Sequence, residues 1–528
     1  FVRKFFYHKY KPESFRLSGF LLPSYKFKSN ISSLIAIFTK YKNRIPIYHV
    51  PYTESNGYEI RESLHEYILS YEKLMFSFLP LGGSNEIGAN CFYLNIEGTG
   101  IIIDCGMHPQ KTGLEALPSF DLIKDKPVDF LLISHAHQDH LSALPFLVQR
   151  HPYVRIISTP QTRALAELTL HDSVSIWKEQ IDEEEMKVYS HEEIDLLIRS
   201  IEYKAYGEEF FLSGYNHRSS EPIKITFFDS GHILGSTGIL IEYNEENIFY
   251  TGDINLNHQE LLTGAKLPKT NINTLIIETT YGSTDSSNLK SWKDEKERFA
   301  IEANKILDKG GSILLPVFSL GKTQEVLAVI WNLMLNGKLI QTDIYTGGLG
   351  RKINRVYDYN RYVVNYSDPD FELMVIPQKN IYEVENYNDF FRIPSLILAP
   401  SGMMLEQTIS FQLGKKWFNR KDSAIFTVGY MEPKTPGYKF ANTYKGDKIK
   451  LTEYDDPIEV KCLIKNFRFT AHSKREELLE IVKKLNAQNV ILVHGEPPSI
   501  DWVGENILKQ NKSIKVFTAQ TGEEIILA

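Results

Sequence analysis

Six apolar runs in this chain end on an ionisable residue, and that repetition constrains the fold more than any other feature. "GIIID" delivers Asp104, "FLLIS" leads into "HAHQDH" at residues 135 to 140, and "FFDSGH", "NIFYTGD", "TLIIE" and "VILVH" deliver His232, Asp253, Glu278 and His494. Short runs rich in Ile, Val, Leu and Phe, bounded by glycine and polar turns, read as strands. Strands laid side by side bring such ends to one sheet edge. A single histidine after a strand is ordinarily a loop residue, but six ionisable ends together predict a shared site. The other histidines, His108, His151 and His258 among them, lack this placement and read as structural or surface residues.

The second of these ends is the densest. A helix would scatter His135, His137, Asp139 and His140 around its circumference and a strand would split them between two faces, whereas a loop leaving a strand converges them. Neutral imidazole and carboxylate are donors that borderline metals prefer, so the cluster reads as a metal site rather than a solvated polar turn. Two divalent ions sharing a carboxylate and a water need about seven donors. His135, His137, Asp139, His140, His232, Asp253 and His494 supply that number. Such a pair makes hydroxide available near neutral pH and clamps an anionic oxygen, which is hydrolytic chemistry. Zinc suits the donor types, and manganese or iron accepts the same set.

At 528 residues the chain exceeds one ordinary core, so two or three folding units are expected. A hydrophobic content of 42% is that of a globular protein, and no apolar run reaches the length of a membrane span. Cys91, Cys105 and Cys462 form no CxxC pair, which argues against disulfides and thiolate metal sites and fits a reducing, cytoplasmic setting. "FVRKFFYHKYKPESFR" lacks the continuous apolar core of a signal peptide. The net charge of −7 disfavours a broad basic surface for nucleic acid, yet residues 1 to 50 hold seven Lys and three Arg against Glu13 alone. Bound cations also attract phosphate, so charge excludes no polyanionic substrate.

Four segments follow from the pattern. Residues 1–77 are a basic extension of unknown role, and 78–282 start a body of strands interrupted by a helical, acidic stretch containing "DEEE". Residues 283–457 form a separate α/β unit, and 458–528 return to the first body. "FRFTAHSKREELLEIVKKL" runs from strand to helix, with capping-box spacing at Ser473 and Glu476 and an apolar stripe of Leu478, Val482 and Leu485, which puts His472 at a helix mouth.

"HAHQDH" with the later single His and Asp resembles the metallo-β-lactamase superfamily. The interruption by a second α/β unit, flanked by Glu278, "TAH" and "VHGE", resembles its β-CASP nuclease branch. Within that branch "IIETTYG", "GGSILLPVFSLGKTQEVL", "LAPSGMM" and "ILVHGE" are most similar to the endonuclease subunits of the cleavage and polyadenylation machinery and their prokaryotic relatives, and "LGGSNEIGANC" is similar to the opening of RNase J. The resemblance covers about residues 78 to 528 and implies an α/β fold: a metallo-β-lactamase αββα sandwich with an inserted β-CASP domain, the N-terminal extension being extra.

By position the resemblance implies His135, His137 and His232 on one zinc, Asp139, His140 and His494 on a second, and Asp253 between them. It implies that Asp104 steadies the ligand loop and that His472, oriented by Glu278, is the general acid. His494 points to RNA, since DNA-processing members carry an apolar residue there. The expectation is a dinuclear zinc ribonuclease, endonucleolytic, leaving a 3′-hydroxyl and a 5′-phosphate, with RNA as substrate, RNA-processing proteins as partners and a homodimer left open. A 5′-exoribonuclease of RNase J type, a DNA nuclease, a small-ester or thioester hydrolase and a non-catalytic RNA-processing subunit are the alternatives. The inserted domain is expected to close over the metals, with Ser319, Lys322 and Ser401 as phosphate contacts or, equally, as caps and turn residues. "GYMEPKTPGYKFAN" lacks the Glu-Gly-Thr expected after Gly-Tyr, and "APSGMM" departs from the commoner "SPGMM".

Overall fold

The computed structural model describes residues 76–180, 188–215, 219, 221–429, 431, 433, 435–452 and 456–527. The basic arm, the "DEEE" tip and part of "GYMEPKTPGYKFAN" lie outside the described residues. Two seven-stranded sheets form the first body. One runs, edge to edge, Ile525–Leu527, Phe76–Gly82, Cys91–Ile96, Thr99–Ile103, Phe130–Leu132, Arg155–Ser158 and Glu202–Tyr203. The other runs Lys515–Thr518, Asn489–Val493, Thr274–Glu278, Glu246–Tyr250, Thr237–Tyr243, Ile223–Asp229 and Glu209–Leu212.

Period-two alternation builds the layers. In Cys91–Ile96, Phe92, Leu94 and Ile96 point to the core shared with Phe227, Ile239, Tyr250 and Ile276 of the facing sheet, while Cys91 and Tyr93 point outward. Helices cover the outward faces: Leu144–Arg150, Pro160–Gln180 and His191–Ser200 on the first sheet, Arg475–Lys484 and Pro497–Gln510 on the second. The result is αββα. Each fully buried Leu, Ile or Phe contributes about 1.5–3 kcal/mol to holding the layers together.

The insert is a three-layer α/β unit on a parallel six-stranded sheet, ordered Lys379–Asn380, Asp343–Thr346, Ser395–Ala399, Ile313–Pro316, Ala424–Val428 and Leu463–Phe467. Its last strand lies beyond the expected boundary at 457, because Leu463–Phe467 pairs with Ala424–Val428 before the chain returns to the first body. An apolar run announces a strand but not which sheet receives it, so this pairing is not written in the composition of the segment. Half of a capping box forms, one residue on: Glu477 Oε2 accepts the Lys474 N–H at 2.8 Å, Lys474 having no side-chain acceptor to return the bond, while buried Ser473 Oγ accepts the Leu256 N–H at 3.0 Å. Tertiary demand on Ser473 displaces it from the cap. Among the described residues no helix is long and apolar enough to cross a membrane.

Candidate metal centre

Parallel pairing of Glu246–Tyr250, Thr274–Glu278 and Asn489–Val493 puts Asp253, Glu278 and His494 at one sheet edge. The facing sheet brings Asp104 and the His135 loop to the same edge through parallel Thr99–Ile103 and Phe130–Leu132. Asp104 and His494 directly follow their strands with φ of 59° and 49°. Left-handed backbone at non-glycine residues is costly and turns each side chain sharply inward, as at many functional sites.

Asp104 is fully buried and organises the loop. Its carboxylate accepts from Ser134 N and Ser134 Oγ at 2.7 Å each, from Tyr250 OH at 2.7 Å and from His140 Nδ1 at 2.8 Å. The last bond fixes the His140 tautomer and turns Nε2 to the centre, where it lies 3.4 Å from Asp253 Oδ1. His232 is fixed likewise, donating from Nδ1 to the Ala471 carbonyl at 2.7 Å.

The donor atoms fall into two groups, His135, His137, His232 and Asp253 in one and Asp139, His140 and His494 in the other, with donors within each group inside 4.8 Å of one another. His137 Nδ1 is 3.1 Å from both His135 Nε2 and His232 Nε2, each of which is 3.5 Å from Asp253 Oδ2. His494 Nε2 is 3.2 Å from Asp139 Oδ2 and its Nδ1 is 3.3 Å from Asp253 Oδ1. Asp253 thus presents one oxygen to each group. Its Oδ1 is buried without a hydrogen-bond partner, a costly state for a carboxylate and one that a shared cation relieves. The residues present fit a pair of divalent ions.

Electrostatics agree with that fit at His135, His232 and Asp253, whereas at His140 burial is outweighed by Asp253, Asp139 and Asp104, which raise it above its ordinary value. Burial and neighbouring imidazoles hold His135 and His232 well below the usual histidine range, the neutral form that binds metal. Burial opposes ionisation of Asp253, but His494 and His140 hold its carboxyl well below the usual range.

Beside the centre, His472 Nδ1 is 2.8 Å from Glu278 Oε1, and His472 Nε2 is 4.0 Å from Asp253 Oδ2. Glu278 is itself held by the Ile254 and Thr280 N–H groups at 2.9 and 3.1 Å. Burial lowers the His472 pKa, but Glu278 outweighs it and raises the group above its ordinary value.

The insert closes over the cluster through its "FSLGK" loop, whose Leu320 carbonyl lies 3.5 Å from His137 Nε2. Lys322, expected to meet phosphate, is buried and donates to the Phe469 carbonyl three residues before His472. Ser319 is half-buried on that loop, and Ser401 has a buried Oγ without a partner. Sequence reasoning missed Asn90, whose Nδ2 reaches the Asp139 carbonyl at 3.0 Å and His140 Nε2 at 3.1 Å, and Thr280, with Oγ1 3.1 Å from His494 Nδ1. Their only signal was membership of "GGSNEIGANC" and "IIETTYG".

Comparison with known proteins gives three consecutive family matches: a metallo-beta-lactamase superfamily domain over residues 93–280, a Beta-Casp domain over 323–440 and a Zn-dependent metallo-hydrolase RNA specificity domain over 457–519. Cleavage and polyadenylation specificity factor subunit 3 of Dictyostelium discoideum is 30% identical over 85% of this chain and 57% of its own length. Endoribonuclease YSH1 of Saccharomyces cerevisiae is 30% identical over 83% of this chain and 57% of its own length. The chain therefore spans somewhat more than half the length of these two relatives. An RNase J-like protein of Methanocaldococcus jannaschii is 31% identical over 79% of this chain and 91% of its own length. A crystal structure of a protein of unknown function from Enterococcus faecalis V583 shares the fold, with a TM-score of 0.51 at 12% identity over 86% of this chain and 100% of that one.

Proposed function

We propose, from the premise that the chain belongs to the metallo-β-lactamase superfamily and to its β-CASP branch, that it is a metal-dependent ribonuclease cutting RNA internally. The observation that carries this reading is His472, held by Glu278 on one nitrogen and facing Asp253 with the other. A thioester, whose thiolate leaves readily, has little use for such an acid, and a small ester of any kind has little use for an inserted domain of this size. A ribose oxygen leaving phosphorus needs a proton.

The residues proposed to hold the metals are His135, His137 and His232 on one side, Asp139, His140 and His494 on the other, and Asp253 between. When bound there, two divalent cations supply an activated water and a clamp on the phosphate oxygens, zinc being favoured by donor type with manganese or iron acceptable. Asp104 holds the His140 ring in position. Glu278 keeps His472 protonated and oriented, and Nε2 delivers its proton to the departing oxygen. Ser319, next to the Leu320 carbonyl that meets His137, and Ser401 are kept as proposed phosphate contacts; Lys322, whose ammonium is engaged, would act only through its charge. RNA specificity is supported by the match over residues 457–519 and by the endoribonuclease name of a relative. Protein partners are suggested by the relative named as a specificity-factor subunit. A 5′-exonucleolytic reading is kept because of the RNase J-like relative.

One strand prepared as RNA and as DNA, each with a 5′-phosphate or a 5′-hydroxyl, tests this with wild type and His472→Ala. Internal RNA cuts, lost at least about 100-fold in the variant with metal content unchanged, are expected. Cutting only from 5′-phosphorylated ends selects the exonuclease. No cutting by metal-loaded wild type selects a partner subunit or an ester hydrolase.

A further inference from the structure

A cleft of about 760 Å³ opens beside the centre, between the first body and the insert. Thr280 lines it, and since Thr280 Oγ1 is 3.1 Å from His494 Nδ1 the cleft lies one side chain from the cluster. Arg468 and Tyr438 line it as well. Arg468 stands four residues before His472, at the end of the strand Leu463–Phe467. Its backbone N–H is pinned by Glu295 Oε1 at 2.6 Å, and the same carboxylate receives Arg298 at 2.6 and 2.9 Å. The guanidinium of Arg468 forms no ion pair among the described residues.

Two carboxylates also line the cleft. Glu86 is held by Lys111 at 2.9 Å and His108 at 3.3 Å, and Glu496 starts the helix Pro497–Gln510. Arg468 is left as a cation on a held backbone, lining an open cleft. Its charge acts on Tyr281, whose ring is 5.9 Å from that of His472, so it stands on the general-acid side. Tyr438 keeps 42% of its surface exposed, lines the same cleft and offers a ring to a base.

We infer that Arg468 and Tyr438 form a subsite for the strand flanking the scissile bond, Arg468 binding a phosphodiester by its planar fork and Tyr438 stacking a base. This rests on the nucleic-acid reading of the centre. A monoanionic phosphodiester takes two parallel N–H donors from guanidinium, and single-strand binders pair such a cation with an aromatic platform. The subsite distinguishes a polynucleotide from a small ester, which would not extend that far.

The test measures binding of a labelled single-stranded RNA by anisotropy across a salt series, and cleavage of the same strand, in metal-loaded wild type, Arg468→Gln, Arg468→Lys and Tyr438→Ala. Arg468→Gln should weaken binding about 10- to 100-fold, the loss of one charge-assisted contact, and reduce the logarithmic salt slope by about one. The loss should appear in KM rather than kcat. Arg468→Lys should restore the slope, and Tyr438→Ala should weaken binding with the slope unchanged. Wild-type affinity and slope in Arg468→Gln would overturn the subsite, as would weaker binding with an unchanged slope. RNA bound through Arg468 but never cut would instead sink the nuclease reading while keeping the subsite, and RNA neither bound nor cut would sink both.

Discussion

His472 shows how a single contact sets a proton's availability. Its Nδ1 faces a buried carboxylate at 2.8 Å, and a general acid must be protonated at working pH. Glu278 raises the pKa against the opposing effect of burial, so the acid form persists to higher pH than for an ordinary histidine. Glu278→Gln removes that charge, and the fall in kcat with rising pH should begin at lower pH, with kcat at neutral pH down about 10- to 100-fold. A pH profile with its alkaline limb unmoved would mean that another group donates the proton. Asp104 acts one step further out. Replacing it with Ala leaves Ser134 N, Tyr250 OH and His140 Nδ1 without their shared acceptor, so the variant should lose about 3–5 kcal/mol in urea unfolding and bind less metal. Asp104 and Glu278 were legible because residue type and strand-end position coincide, whereas His472 was legible only through the "TAH" motif at a helix mouth. Asn90, Thr280 and Arg468 were not, since amides, hydroxyls and lone arginines occur at turns and strand ends everywhere and only the folded geometry selects them.

At the scale of elements, the helix Arg475–Lys484 was legible in its apolar stripe and misread at its cap. Ser473 and Glu476 have the right spacing, but so do Lys474 and Glu477, and the structure chooses the second pair. What decides is outside the helix: Ser473 donates its N–H to the Ile254 carbonyl at 2.7 Å and accepts from Leu256 N, which ties the His472 turn to the Asp253 loop. Glu477 also accepts from Asn257 Nδ2 at 2.8 and 2.9 Å. Glu477→Ala should therefore cost about 1–2 kcal/mol in chemical unfolding, whereas Glu476→Ala on the exposed side should stay within about 0.5 kcal/mol. Equal losses would return the cap to Ser473. The strand Leu463–Phe467 makes the same point about pairing, since its composition announces a strand and leaves open which sheet receives it.

For the whole molecule, the two bodies could be read from the sequence, but not the seam that seals the site between them. That seam depends on Glu325, a buried carboxylate of the insert that accepts the consecutive N–H groups of Glu260, Leu261 and Leu262 at 2.8, 2.8 and 3.2 Å. Glu260 answers across the same seam, accepting from Lys296 at 2.8 Å and from Asn332 at 2.7 Å. Nothing in "GKTQEVL" distinguishes this glutamate from a solvated helix residue, because its burial arises from a partner segment 63 to 65 positions away. Glu325 lies three residues after Lys322 and one turn from the loop whose Leu320 carbonyl meets His137, so loosening the clamp should let the insert lift from the His137 cluster. Glu325→Ala orphans three buried N–H groups and should cost about 3 kcal/mol or more. Urea unfolding of this variant should split into two transitions, one for each body, where wild type shows one, and limited proteolysis should cut first near residues 260–263. Glu325→Gln, which keeps an acceptor oxygen, should fall between the two. A single wild-type transition in Glu325→Ala would show that apolar packing alone, with the insert helix Gly348–Asn360 lying against Pro160–Gln180, holds the site closed.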